Sequence, residues 1–103
     1  MVIVRSKNNV PIRLTIERWE HIIRRHPEMD GEKGKVLQTI TDPDLIQEGD
    51  FGEFIGIKFY KKTPLNSKYL VVIYKEVSSA DGFVITAYYA KKPSERRQTI
   101  WKQ

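Results

Sequence analysis

The sequence contains no cysteine, which excludes a disulfide framework, a thiolate nucleophile and a cysteine-ligated zinc. Histidine is nearly as scarce. The only two, His21 and His26, stand five positions apart, off the i, i+4 spacing that sets two imidazoles on one helical face to hold a metal. No metal site and no cofactor are therefore expected. No apolar run approaches the roughly twenty residues needed to cross a bilayer, and the N-terminal stretch MVIVRSKNN lacks the apolar core and small-residue cleavage site of a signal peptide. These absences point to a cytoplasmic protein without a membrane partner. A glycine-rich phosphate loop is also missing, because Gly31-Glu32-Lys33-Gly34-Lys35 follows no strand and has the wrong spacing. Neither Ser78 nor Ser79 sits on the sharp turn that a serine nucleophile requires.

What is abundant is positive charge. Eighteen Lys and Arg residues face thirteen Asp and Glu over 103 residues, a net charge of +5 that favours a polyanionic partner. With 40% hydrophobic and 30% charged residues the chain reads as a folded single domain, residues 1–103, with room for one two-layer core.

Periodicity divides the chain into a helical part and a strand part. Val2 to Arg5 and Pro11 to Leu14 flank Lys7-Asn8-Asn9, a turn sequence, and predict a short hairpin whose second arm Pro11 confines to a sheet edge. Thr15 is an N-cap signal for a helix that ends at Arg25 or His26, since Pro27 disfavours helical geometry in the residue before it. Val36, Leu37 and Ile40 mark one face of a second helix that stops at Thr41-Asp42-Pro43-Asp44. Beyond Leu45 the period becomes two: EFIGIKFYK, KYLVVIYKEV and GFVITAYYA predict strands of an antiparallel meander, with Leu45 to Glu48 as a fourth. The tail from Pro93 to Lys102 predicts a short helix with Trp101 holding the end down. The expected fold is α+β, an N-terminal hairpin and two helices packed on an antiparallel meander sheet of three to four strands.

On the first helix, Ile16, Trp19, Ile23 and His26 form the stripe expected to face the sheet, with Ile22 beside it. Arg18, His21 and Arg25 fall together on another side, at i, i+3 and i+7. In the strands, Ile55, Ile57, Phe59, Phe83, Ile85 and Ala87 are expected to face the helices. The open face would then collect Lys58, Tyr60, Tyr74, Thr86 and Tyr88, with Lys75 on the opposite parity from Tyr74. Cations, hydroxyls and aromatic rings on one sheet face suit a ligand that carries phosphates and bases.

By elimination, metal-free acid–base chemistry remains. In RNA the nucleophile belongs to the substrate: one group takes the proton of the ribose 2′-hydroxyl, a second protonates the leaving 5′-oxygen, and a cation stabilises the phosphoryl oxygens. Histidine performs either proton transfer near neutral pH. The candidate catalytic residues are His21, His26, Thr86 and Tyr88, and the candidate substrate-binding residues are Arg18, Arg25, Lys58, Tyr60, Tyr74 and Lys75. A non-catalytic nucleic-acid-binding module and a protein-interaction domain are the alternatives.

Several segments carry a family resemblance: Arg13-Leu14-Thr15 followed by Glu17 to Ile22, Arg25-His26-Pro27-Glu28, Asp42-Pro43-Asp44, Lys68 to Val72, Gly82 to Tyr88 and Trp101-Lys102. In this order, from Arg13 to Lys102, they resemble the phage-type domains of the nuclease fold that groups barnase, EndoU, the tRNase colicins and RelE. The resemblance implies a helices-then-sheet fold and metal-independent RNase activity, with RNA, tRNA included, as substrate. It also implies a toxin role with a neutralising antitoxin or immunity protein as partner. Its site positions fall on His21, His26, Thr86 and Tyr88.

Overall fold

The computed structural model describes residues 1–103. Two short strands, β1 (Val2–Arg5) and β2 (Pro11–Leu14), lead into helix α1 (Ile16–Arg25), a 3₁₀ turn (Pro27–Met29) and helix α2 (Lys33–Thr41). Strands β3 (Leu45–Glu48), β4 (Phe54–Phe59), β5 (Tyr69–Ser78), β6 (Asp81–Ala90) and β7 (Thr99–Lys102) follow. All seven strands join one sheet in the order β1-β2-β6-β5-β4-β3-β7. The expected three- to four-stranded antiparallel meander is thereby overturned: β3 to β6 do pair antiparallel in succession, but the sheet is larger and mixed.

Two long-range pairings make the difference. β2 lies parallel to β6 through Ile12 opposite Gly82 and Arg13 opposite Phe83, so the hairpin extends the sheet instead of standing apart, and Pro11 is in an interior strand. It is tolerated because the parallel ladder begins only at Ile12, leaving no bond for the missing proline N–H to donate. The join admits only glycine at residue 82, where a Cβ would lie 2.5 Å from the Lys75 carbonyl oxygen and 2.6 Å from the Ile12 side chain. The tail is β7 rather than the expected helix, and it pairs antiparallel with β3 on the far edge. The sheet curls so far that Lys7, in the first hairpin turn, places its Nζ 5.0 Å from the ring centre of Trp101 on β7. Asn9 takes φ 64° in that turn, a conformation that asparagine adopts more readily than most residues.

Both helices pack on the same face. Ile22, Met29, Val36 and Ile40 meet Ile12, Leu14, Leu70, Val72, Tyr74, Val84, Ala87 and Tyr89 in the main core. The opposite face holds a smaller cluster, Ile55, Ile57 and Val71, flanked by Leu45, Ile73 and Tyr88. Ile55 and Ile57 therefore look away from the helices, reversing the parity expected for β4. The crossover between β6 and β7 lies over this second face, and the Gln47 side-chain amide of β3 donates to the Ser94 carbonyl at 2.8 Å to hold it there.

Candidate functional site: a cationic cleft beside β6

Helix α1 begins where the sequence requires, with the Thr15 hydroxyl accepting from the Arg18 backbone N–H at 3.1 Å. It ends at His26, whose backbone N–H reaches the Ile22 carbonyl at 2.7 Å before Pro27 turns the chain. The helix is rotated from the expected orientation: Ile22 is its one fully buried residue, whereas Ile16 is 61% exposed. Arg18 and Arg25 lie at i−4 and i+3 from Ile22, so they flank the buried contact directly. This rotation turns the Arg18, His21 and Arg25 stripe toward the edge of β6.

Strand β6 meets it with an irregularity. Tyr74 pairs with Val84 and Ile73 with Thr86, leaving Ile85 as the extra residue of a β-bulge. Simple alternation puts Val84, Thr86 and Tyr88 on one face. With the bulge, Val84 joins Ala87 and Tyr89 in the helix-covered core, while Tyr88 packs on the opposite cluster. Thr86 and Tyr88 thus reach the open face by a route the sequence pattern did not contain. Because β2 leaves β6 after Phe83, the outer edge of β6 is free, and the Ile85 carbonyl accepts from an Arg18 guanidinium nitrogen at 3.3 Å.

Together these elements enclose an open cleft of about 330 Å³ lined by Arg18, His21, Arg25, His26, Ile85, Thr86 and Tyr88. The His26 ring lies against Tyr88, with ring centres 5.6 Å apart and planes inclined by 32°. His26 is half-buried and His21 exposed. The hydrogen bonds at the site are those of Arg18, so both imidazoles, the Thr86 hydroxyl and the Tyr88 phenol are uncommitted. A second shallow depression on the same helix face adds Arg24 beside Arg18 and His21.

The other expected substrate contacts lie elsewhere. Lys58 sits at the far end of β4, where its ammonium pairs with Asp42 at 3.3 Å and Asp44 at 3.7 Å. The Tyr60 hydroxyl is bonded within α2, to the Lys35 carbonyl at 3.1 Å and Thr39 at 3.2 Å. Tyr74 is a core residue, 1% exposed, and burial pushes its phenol well above the usual tyrosine range. Its ring stacks on Phe54 at 5.7 Å. Lys75 pairs across β6 with Phe83, on the other side of the bulge from Thr86. Lys58, Tyr60 and Tyr74 lie apart from the cleft for one reason: β4, the residue after it and β5 turn these positions toward the helices.

Ile85 was not anticipated, although the adjacent apolar residues Val84 and Ile85 interrupt the alternation of GFVITAYYA and are a sequence trace of the bulge. Nowhere do three histidine, aspartate or glutamate side chains converge as metal ligands would, and no helix is long and apolar enough to cross a membrane. No protein-family model, curated protein or solved structure matches the chain.

Proposed function

We propose that the chain is a toxin-like, metal-independent endoribonuclease acting in the cytoplasm, with the cleft between α1 and β6 as its active site. One observation carries the reading: His21, His26, Arg18, Arg25, Thr86 and Tyr88 line a single cleft although α1 and β6 are some sixty residues apart in sequence. These are the groups that transesterification of RNA requires. One imidazole takes the proton of the 2′-hydroxyl as the 2′-oxygen bonds to phosphorus; the other gives a proton to the 5′-oxygen as the P–O5′ bond breaks. The products are a 2′,3′-cyclic phosphate and a 5′-hydroxyl. Arg25 and the free donors of Arg18 stabilise the negative charge that gathers on the non-bridging oxygens. Thr86 and Tyr88 orient the phosphate through their hydroxyls. Since His21 and Arg25 are exposed, an acidic partner protein laid over this stripe would silence the enzyme as an antitoxin does.

The test is incubation of the purified protein with tRNA and total RNA in EDTA. Expected are fragments ending in 2′,3′-cyclic phosphate, no cleavage of a substrate lacking 2′-hydroxyls, and a loss of about 10²–10⁴-fold in rate for His26→Ala. Intact RNA at high protein concentration, or equal cleavage of the deoxy substrate, would overturn the reading. RNA binding that falls steeply with salt, without cleavage, would replace the nuclease by a binding module.

A further inference from the structure

The open face of the sheet contains a second cavity, smaller and more enclosed than the cleft, and Tyr88 is a wall of both. It measures about 160 Å³ and lies between the floor of Ile55, Ile57 and Val71 and the crossover that carries Lys92, Ser94 and Arg97. Gln47 also lines it. That side chain is 3% exposed, and its amide nitrogen is committed to the Ser94 carbonyl at 2.8 Å. Its Oε1 is the single buried side-chain polar atom in the protein without a hydrogen-bond partner. Turning the amide over does not relieve this, because Oε1 would then face the Ser94 carbonyl oxygen.

A buried acceptor without a donor is unfavourable unless something else completes it. Here the surroundings specify what that is. The floor is aliphatic and one wall is an aromatic ring, which suits a flat apolar ring system rather than a sugar or a peptide backbone. Lys92 and Arg97 stand at the rim in exposed ion pairs with Glu95 and Asp50, pairs weak enough to exchange for a phosphate. The shared Tyr88 wall sets the cavity next to the place where a phosphodiester would lie beside the imidazoles.

We propose that this cavity is a nucleobase subsite, and that Gln47 Oε1 selects a base whose edge donates from an exocyclic amine. The inference rests on the RNA reading of the cleft and deepens it. Adenine and cytosine offer such a donor beside a ring nitrogen that accepts, and guanine carries one beside its ring N–H. Uracil presents its N–H between two carbonyl oxygens, which the aliphatic floor would leave unpaired. Gln47 is a specificity residue in this scheme and takes no part in proton transfer.

The experiment is titration of the ¹⁵N-labelled protein with adenosine 5′-monophosphate and with purine riboside 5′-monophosphate, which lacks only the amine. The amino nucleotide is expected to bind about tenfold more tightly and to shift the Gln47 side-chain amide signals; the purine riboside analogue should leave those signals in place. Gln47→Met, which keeps the shape and removes the acceptor, should equalise the two affinities. Equal binding of both nucleotides by the wild-type protein, or shifts confined to the cleft with Gln47 unmoved, would overturn the subsite, the cavity then holding water alone. The wild-type spectra decide the matter even if the variant fails to fold. RNA cleavage without amine discrimination sinks the subsite and spares the nuclease, and discrimination without cleavage does the reverse.

Discussion

The two faces of the sheet differ in how they are covered. On the helix side, side chains from both helices, the 3₁₀ turn and strands β2, β5 and β6 dominate a continuous core of thirteen buried residues. On the other side only Ile55, Ile57 and Val71 are buried as a cluster, and the cover is an eight-residue crossover held by the Gln47 to Ser94 bond. The contrast shows where each task resides. Stability belongs to the helix side, where close packing leaves little space for a ligand. The open side, where Tyr88 lines both the cleft and the cavity, keeps its polar groups available. Residues of one strand serve the two faces in alternation, so neighbours in sequence have unrelated roles.

The most direct way to break this contrast is to truncate adjacent residues of β5. Leu70 is fully buried in the main core and Val71 in the small cluster. Leu70→Ala should lower unfolding free energy by about 2–5 kcal/mol, while the proposed RNA cleavage per folded molecule should be unchanged. Val71→Ala should destabilise less, since it removes fewer carbons and enlarges an existing cavity, and should weaken nucleotide binding instead. Chemical denaturation and binding titration on both variants check this, and equal effects on stability would erase the distinction between the faces.

A smaller effect is expected at the seam where the two β2 and β6 segments join. Gly82→Ala forces a methyl against the Lys75 carbonyl oxygen and Ile12, an overpacking that should cost about 1–3 kcal/mol. If the parallel pairing orients β6, this variant should also lose the proposed RNA cleavage beyond its loss of folded protein. Retained activity would show that the cleft does not depend on the seam.

The smallest effect concerns alkaline pH and belongs to the helix side alone. Burial raises the Tyr74 and Tyr89 phenols above their ordinary value of 10.0, and Glu32, which accepts from the Tyr89 hydroxyl at 2.7 Å, adds to the second shift. Each folded-state pKa lies above the unfolded one, so the neutral phenol contributes stability that is complete below pH 10 and diminishes as pH rises past it. Melting temperature should therefore fall above pH 10, and less steeply in Tyr89→Phe. A variant with the same alkaline slope as wild type would remove Tyr89 from the account.

Much of the cleft's helical half was legible in the sequence. The Thr15 cap, the Pro27 stop and the i, i+3, i+7 spacing of Arg18, His21 and Arg25 are local features, and a helix expresses them whatever it packs against. The strand half was legible only in part. Thr86 and Tyr88 were expected on the open face beside Lys58, Tyr60 and Tyr74, yet the last three lie on the helix side. A period of two identifies which residues share a face but carries no label for the face the helices will choose. One bulged residue, Ile85, then inverts the assignment within β6. The tail misread as helix has the same origin, since Thr99 to Lys102 becomes a strand by finding the free edge of β3.

By itself, then, the sequence determined the positive charge, the absence of thiol chemistry, the limits of α1 and the side-by-side placement of its cationic residues. Those properties depend on composition or on neighbours within a turn of helix. Only the tertiary structure decided the seven-stranded order, the parallel join of β2 to β6, the rotation of α1 about Ile22 and the meeting of His26 with Tyr88. Each of these depends on which apolar surfaces bury one another across long stretches of chain, an outcome set by the packing of the whole and not by any segment of it.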